Sequence, residues 1–167
     1  MDERHLLDDT AVRTRWDQLE YSIFNIVEER YTVAADSVYS EHLGVLLGIL
    51  GDMEPDKWLR TETHRSWLFQ AFIWQKLAEN VFGEDGFNEC ARPEGITRLQ
   101  YQKLKTSVNM TLGPKKELDT ARIAALAKEM GETLQRFKSD PDAPRSYPFE
   151  NLIYKAAQLD ADMAKCR

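Results

Sequence analysis

Residues 65–83 read RSWLFQAFIWQKLAENVFG, and from Trp67 to Lys76 only Lys76 is charged. The chain as a whole is 30% charged over its 167 residues, so this run stands apart from its surroundings. Projected at about 100° per residue, Trp67, Ala71, Trp74, Ala78 and Val81 fall within about 40° of one line. Around that line the two halves differ. Leu68, Phe69, Phe72 and Ile73 cover most of the remaining circumference of the first half, whereas Gln75, Lys76, Glu79 and Asn80 give the second half a polar face. A helix apolar on every side must be surrounded by other elements. The segment therefore predicts a central helix over about 65–82, buried all round for about two turns and on one face thereafter. Burial of Trp67, Phe69, Phe72 and Trp74 would contribute roughly 1.5–3 kcal/mol or more each. Gln70 is the polar exception, and if buried it needs hydrogen-bond partners, from a neighbouring loop backbone or from a pocket or partner that it faces.

Helical periodicity continues on both sides of this segment. After Asp9 and Thr10, either of which can cap exposed amides, Val12, Trp16, Leu19, Ile23, Ile26 and Val27 recur at helical spacing, predicting a helix over about 10–31. Arg13, Asp17, Glu20, Glu28 and Glu29 form its wet face. A second helix is expected over about 37–50, stopped by Gly51, with a short turn of helix after Pro55. Gly44 and Gly48, four apart, would leave a shallow stripe open to close helix approach. Thr61 and Thr63 are candidate N-caps for the central helix.

Residues 83–95, GEDGFNECARPEG, have loop composition. Thr97 and Gln100 fit a capping box for a helix over about 98–111 with Tyr101, Leu104, Val108 and Leu112 inward. Ile123, Leu126, Ala127, Met130, Leu134 and Phe137 mark another helix over about 117–138. The Pro-rich stretch 139–148, SDPDAPRSYP, connects to a last helix after Pro148, with Leu152, Ile153, Ala156, Leu159 and Met163 inward. No strand-like alternation persists. The expectation is all-α: an irregular bundle of five to six helices around the central one, in a single helical domain spanning 1–167.

RWDQLEYSIFNIVEERY at 15–31 and the segment 65–83 together resemble a family of helical proteins widespread in filamentous fungi. In that family an amphipathic first helix precedes a motif of the type LxQAFIWxxLxxxVF, matched here from Leu68 to Phe82. The family's motif often continues into a Trp-containing segment, where this chain has GEDGFNE with Phe87. The resemblance implies a fungal helical domain; the family carries no assigned activity, so no site residue follows from it.

Composition and spacing exclude several chemistries. The formal charge of −6 opposes general binding to phosphate backbones. The one basic stretch, from Arg98 to Arg122, reads first as a solvated helix face, which leaves nucleic acid a poor third among partners. Cys90 and Cys166 lack CxxC or Cys/His pairing. None of His5, His42 and His64 has a Glu three positions earlier, as a di-iron bundle would need. No phosphate loop, nucleophile elbow or zinc-helix motif occurs, so neither a metal, a cofactor nor a catalytic residue is assigned. The acidic N-terminus is unlike a signal peptide, and GVLLGIL at 44–50 is far shorter than the roughly 20 residues that span a bilayer. A cytoplasmic or nuclear setting without membrane contact is the expectation.

Two readings of function follow. The first is a non-catalytic interaction or regulatory module, part of a longer protein or a subunit that dimerises, because Trp16, Trp58, Trp67 and Trp74 supply more aromatic anchors than one small core needs. The second is a binder of, or enzyme acting on, a small apolar molecule held between 37–50 and 65–82. Gln70, Tyr39 and His42 would be its polar members. Across the two readings the candidate contact residues are Gln70, Trp74, Phe72, Trp67, Tyr39 and His42.

Overall fold

The computed structural model describes residues 9–32, 43–51, 55–82, 120–140, 142 and 147–165. They form α1 (Asp9–Arg30), α2 (Leu43–Leu50), α3 (Pro55–Arg60), α4 (Glu62–Asn80), α5 (Thr120–Leu134), a 3₁₀ turn (Gln135–Phe137) and α6 (Tyr147–Lys165), with no strand among the described residues. The fold is all-α. The helix expected over about 98–111, both cysteines and most of the basic stretch lie outside the described residues.

α1, α4, α5 and α6 form a closed circuit in which each packs against the next and α6 returns to α1. Side-chain pairs set the directions. Trp16 stacks on Trp74 while the Ser66 hydroxyl donates to Glu28, so α1 and α4 run antiparallel. Lys76 pairs with Glu129 at 2.5 Å while Phe69 meets Phe137 with ring centres 4.6 Å apart, which makes α5 antiparallel to α4. Arg15 pairs with Asp162 at one end and Tyr31 stacks on Phe149 at the other, making α6 antiparallel to α1. The result is an up-and-down four-helix arrangement, with α2 and α3 laid against α4.

One continuous apolar cluster runs through all six α-helices and the 3₁₀ turn, from Leu19, Ile23 and Val27 to Phe149, Ile153 and Ala156. α4 is central, being the helix that touches α1, α2, α3 and α5. At one end of the bundle Tyr31, Phe69, Phe137 and Phe149 form a chain of ring contacts that joins α1, α4, the 3₁₀ turn and α6.

Element ends follow local chemistry. Gly51 adopts φ 58°, the left-handed conformation that lets the chain leave α2 without a Cβ clash. Thr61 stands before α4 in extended backbone without a side-chain capping bond. Pro148 sits in the first turn of α6, where its missing N–H costs no helical bond.

Two expectations about packing are corrected. Of the stripe Trp67, Ala71, Trp74, Ala78 and Val81, Trp67 is 56% exposed and both alanines are exposed, whereas Trp74 is half-buried and Val81, just past the helix, is buried, so the stripe is mainly the outward face of α4. The buried arc is formed by Arg65, Leu68, Phe69, Phe72, Ile73 and Leu77. That arc carries far more apolar area than a stripe including two alanines, and area decides which face turns inward. Gly44 and Gly48 are also exposed, with no atom within 4 Å of where a Cβ would stand, so no described helix uses them for close approach.

Candidate interaction surface

The structure separates the residues singled out from sequence. Phe72 is fully buried and serves the core. Trp74 is half-buried, stacked against Trp16 with ring centres 5.3 Å apart and planes 21° from parallel; Phe82 also packs on Trp16, tilted, with ring centres 5.6 Å apart. Gln70 bonds to a side chain and not to a loop backbone: its amide donates to Ser66 Oγ at 3.1 Å, and Ser66 in turn donates to Glu28. This relay ties α4 to α1. Tyr39 and His42 lie outside the described residues.

Trp67 stands at the start of α4 in an aromatic group with His64 and Trp58. His64 lies 4.8 Å from Trp58 and 5.8 Å from Trp67, ring centre to ring centre. Trp58 is partly buried and leans on the core, whereas Trp67 faces outward. His64 Nδ1 is buried without a hydrogen-bond partner.

α1 presents further exposed rings. Tyr21 is 66% and Phe24 46% exposed, an unusual fate for large rings in a helix whose Leu19, Ile23 and Val27 fill the core. Asp17, Glu20 and Glu28 surround them on the helix surface. Projected at about 100° per residue, these five side chains share an arc of about 100°. Both the Trp16–Trp74 stack and the Ser66–Glu28 bond are made from the α4 side of α1, and that side adjoins the arc. Tyr21, Phe24 and the outward stripe of α4 therefore belong to one side of the bundle.

Of the site expected between 37–50 and 65–82, residues 37–42 lie outside the described residues, and Leu46 of α2 is fully buried in the core cluster. A recess of about 290 Å³ lies at the end of α1, lined by Glu29, Arg30, Tyr31, Lys138, Ser139, Asp140 and Pro148. Ser139, on its wall, is tied to the end of α1, its amide donating to the Arg30 carbonyl at 2.9 Å and its hydroxyl lying 2.6 Å from Thr32 Oγ1. The Tyr31 hydroxyl is buried without a partner among the described residues, and burial raises its pKa well above the ordinary tyrosine value, an effect that Arg30 partly opposes. Among the described residues no three His, Cys, Asp or Glu side chains cluster to hold a metal ion, and no helix is long and apolar enough to cross a membrane.

Tyr21 and Phe24 were not singled out from sequence, although a signal exists: each is a large ring among the carboxylates of the wet face, off the Leu19–Ile23–Val27 line. Arg65 was missed altogether, because an arginine at the edge of an apolar run looks like a boundary residue. The chain matches no protein-family model, no curated protein and no solved structure. The fold and the surface therefore carry the functional reading.

Proposed function

We propose that this chain is a non-catalytic helical interaction module that engages a protein partner through the side of the bundle bearing Tyr21, Phe24 and Trp67. The carrying observation is the exposure of these three large rings while the adjoining core is filled. Tyr and Trp are the side chains that dominate protein contacts, because they cover much area with few rotatable bonds to immobilise. The helices that carry the rings are firmly joined: the Trp16–Trp74 stack and the Gln70–Ser66–Glu28 relay tie α1 to α4. The resemblance to a fungal helical family without assigned activity is consistent with a regulatory or scaffold role, in the cytoplasm or nucleus.

Site-directed photo-crosslinking tests this reading. A photoreactive phenylalanine analogue placed at Tyr21 or Trp67 in cells should give the same discrete protein adduct from both positions, and the same analogue at Ala124, exposed on α5, should not. Adducts that are absent from Tyr21 and Trp67, or as abundant from Ala124, would refute the proposal.

A further inference from the structure

The charge around the exposed rings defines the partner that this surface fits. On the α1 arc, Asp17, Glu20 and Glu28 flank Tyr21 and Phe24, and Arg13 is the cation that joins them on the same projection. Two neighbouring cations are paired with other helices. Arg15 pairs with Asp162 of α6, and Lys76 of α4 reaches across to Glu129 of α5. Lys57 and Arg60 are exposed on α3, which packs on α4 at the Trp58–His64–Trp67 end. Among the described residues the α1 arc is thus left with carboxylates in excess around two aromatic rings.

We propose that this arc docks a cationic amphipathic segment of a partner protein. The inference rests on the interaction-module reading and specifies its partner. Lysine or arginine side chains of such a segment would pair with Asp17 and Glu20 and lie over the ring faces of Tyr21 and Phe24, which attract cations. Its apolar residues would cover Phe24 and the outward stripe of α4, in the manner of a helix laid along a groove. A second copy fits poorly: the chain carries a formal charge of −6, and a two-fold contact through this face would set its carboxylates against themselves. Nucleic acid and anionic lipid surfaces would be repelled in the same way.

The test uses the full chain and three short labelled peptides in fluorescence anisotropy: an amphipathic Lys/Leu helix, its Glu/Leu counterpart, and a Lys/Gly/Ser peptide of equal charge without an apolar face. The Lys/Leu helix should bind about tenfold or more tightly than either control, and less tightly as salt rises. The double substitution Asp17→Lys with Glu20→Lys, at two exposed positions outside the core, should weaken that binding about tenfold and shift preference toward the Glu/Leu helix, with the circular dichroism spectrum unchanged. Equal binding of the Lys/Leu and Glu/Leu helices, or no effect of the double substitution, would overturn the proposal. So would a dimer in sedimentation that Tyr21→Ser abolishes, since the occupant would then be a second copy. A discrete adduct from Tyr21 in cells, with no preference among the peptides, would defeat the cationic partner and leave the interaction surface standing; loss of that adduct would defeat the surface itself.

Discussion

The guanidinium of Arg65 donates to the main-chain carbonyl of Thr32 at 2.7 Å, tying the first turns of α4 to the chain just beyond α1. The same side chain donates to the carbonyls of Leu59, at 2.9 Å, and Arg60, where α3 ends, while itself almost wholly buried. One cation thus satisfies carbonyls from two segments that meet at one end of the bundle. Removing it takes the donor from the buried bond to Leu59 and from the partly buried bonds to Arg60 and Thr32, and an acceptor left buried and unpaired costs more than its bond contributed. Arg65→Ala should lower unfolding stability by about 2–4 kcal/mol. Arg65→Lys, which keeps the charge but loses the planar fork, should recover only part of the loss. Urea denaturation followed by circular dichroism measures both, and a loss no larger than at an ordinary surface position would show that the three bonds are dispensable.

The two faces of α4 should respond oppositely to truncation. Phe72 is fully buried beside Phe69, Ile73 and Leu77, so Phe72→Ala should cost about 3–5 kcal/mol through lost transfer energy and the cavity left behind. Trp67→Ala removes a larger ring but one mostly in water already, and should cost under about 1 kcal/mol. Comparing denaturation midpoints at equal slope separates the cases. A Trp67 loss as large as that at Phe72 would restore the straight stripe as the core face.

The contrast between these residues shows what the sequence made legible. Periodicity located α1, α4, α5 and α6 with ends within a few residues of those observed, because each carries a recurring apolar face and a capping or breaking residue near its end. It could not choose between two apolar faces of one helix, because the neighbours that pack on α4 are set by the circuit of helices and not by α4 itself. For the same reason Trp67 and Phe72 looked alike as candidate contact residues, although one faces water and the other fills the core. Arg65 illustrates the reverse limit: its acceptors come from Thr32, Leu59 and Arg60, and no local pattern brings those carbonyls together.

The stack of Trp16 on Trp74 makes the join between α1 and α4 measurable. With ring centres 5.3 Å apart and nearly parallel planes, the pair should show a coupling of about 0.5–1.5 kcal/mol beyond the area that each ring buries. A double-mutant cycle with Trp16→Leu and Trp74→Leu, read by thermal or urea unfolding, isolates that value because leucine keeps most of the apolar volume. Strict additivity would mean that each ring contributes only through its own burial. Phe82, which also packs on Trp16, should be left unchanged in all four proteins so that the cycle reports one contact.

Tyr31 links stability to alkaline pH. Among the described residues its buried hydroxyl has no hydrogen-bond partner, and burial raises its pKa in the folded chain, with Arg30 a smaller opposing influence. Unfolded tyrosine releases its proton near about pH 10. Above that pH the unfolded chain therefore binds fewer protons at this residue than the folded chain, and stability falls as pH rises. Below about pH 10 the contribution is fully present. Tyr31→Phe removes the group while keeping the ring that stacks on Phe149, 5.9 Å away, and meets Phe69 edge-on. Near neutral pH the substitution should be close to neutral or slightly stabilising, because an unpaired polar atom leaves the interior. Between about pH 10 and 12 the variant should lose less stability than the parent, the remaining tyrosines and lysines being common to both. Urea midpoints at neutral and alkaline pH decide the matter: parallel losses in the two proteins would mean that the Tyr31 hydroxyl reaches solvent or a partner in the folded chain.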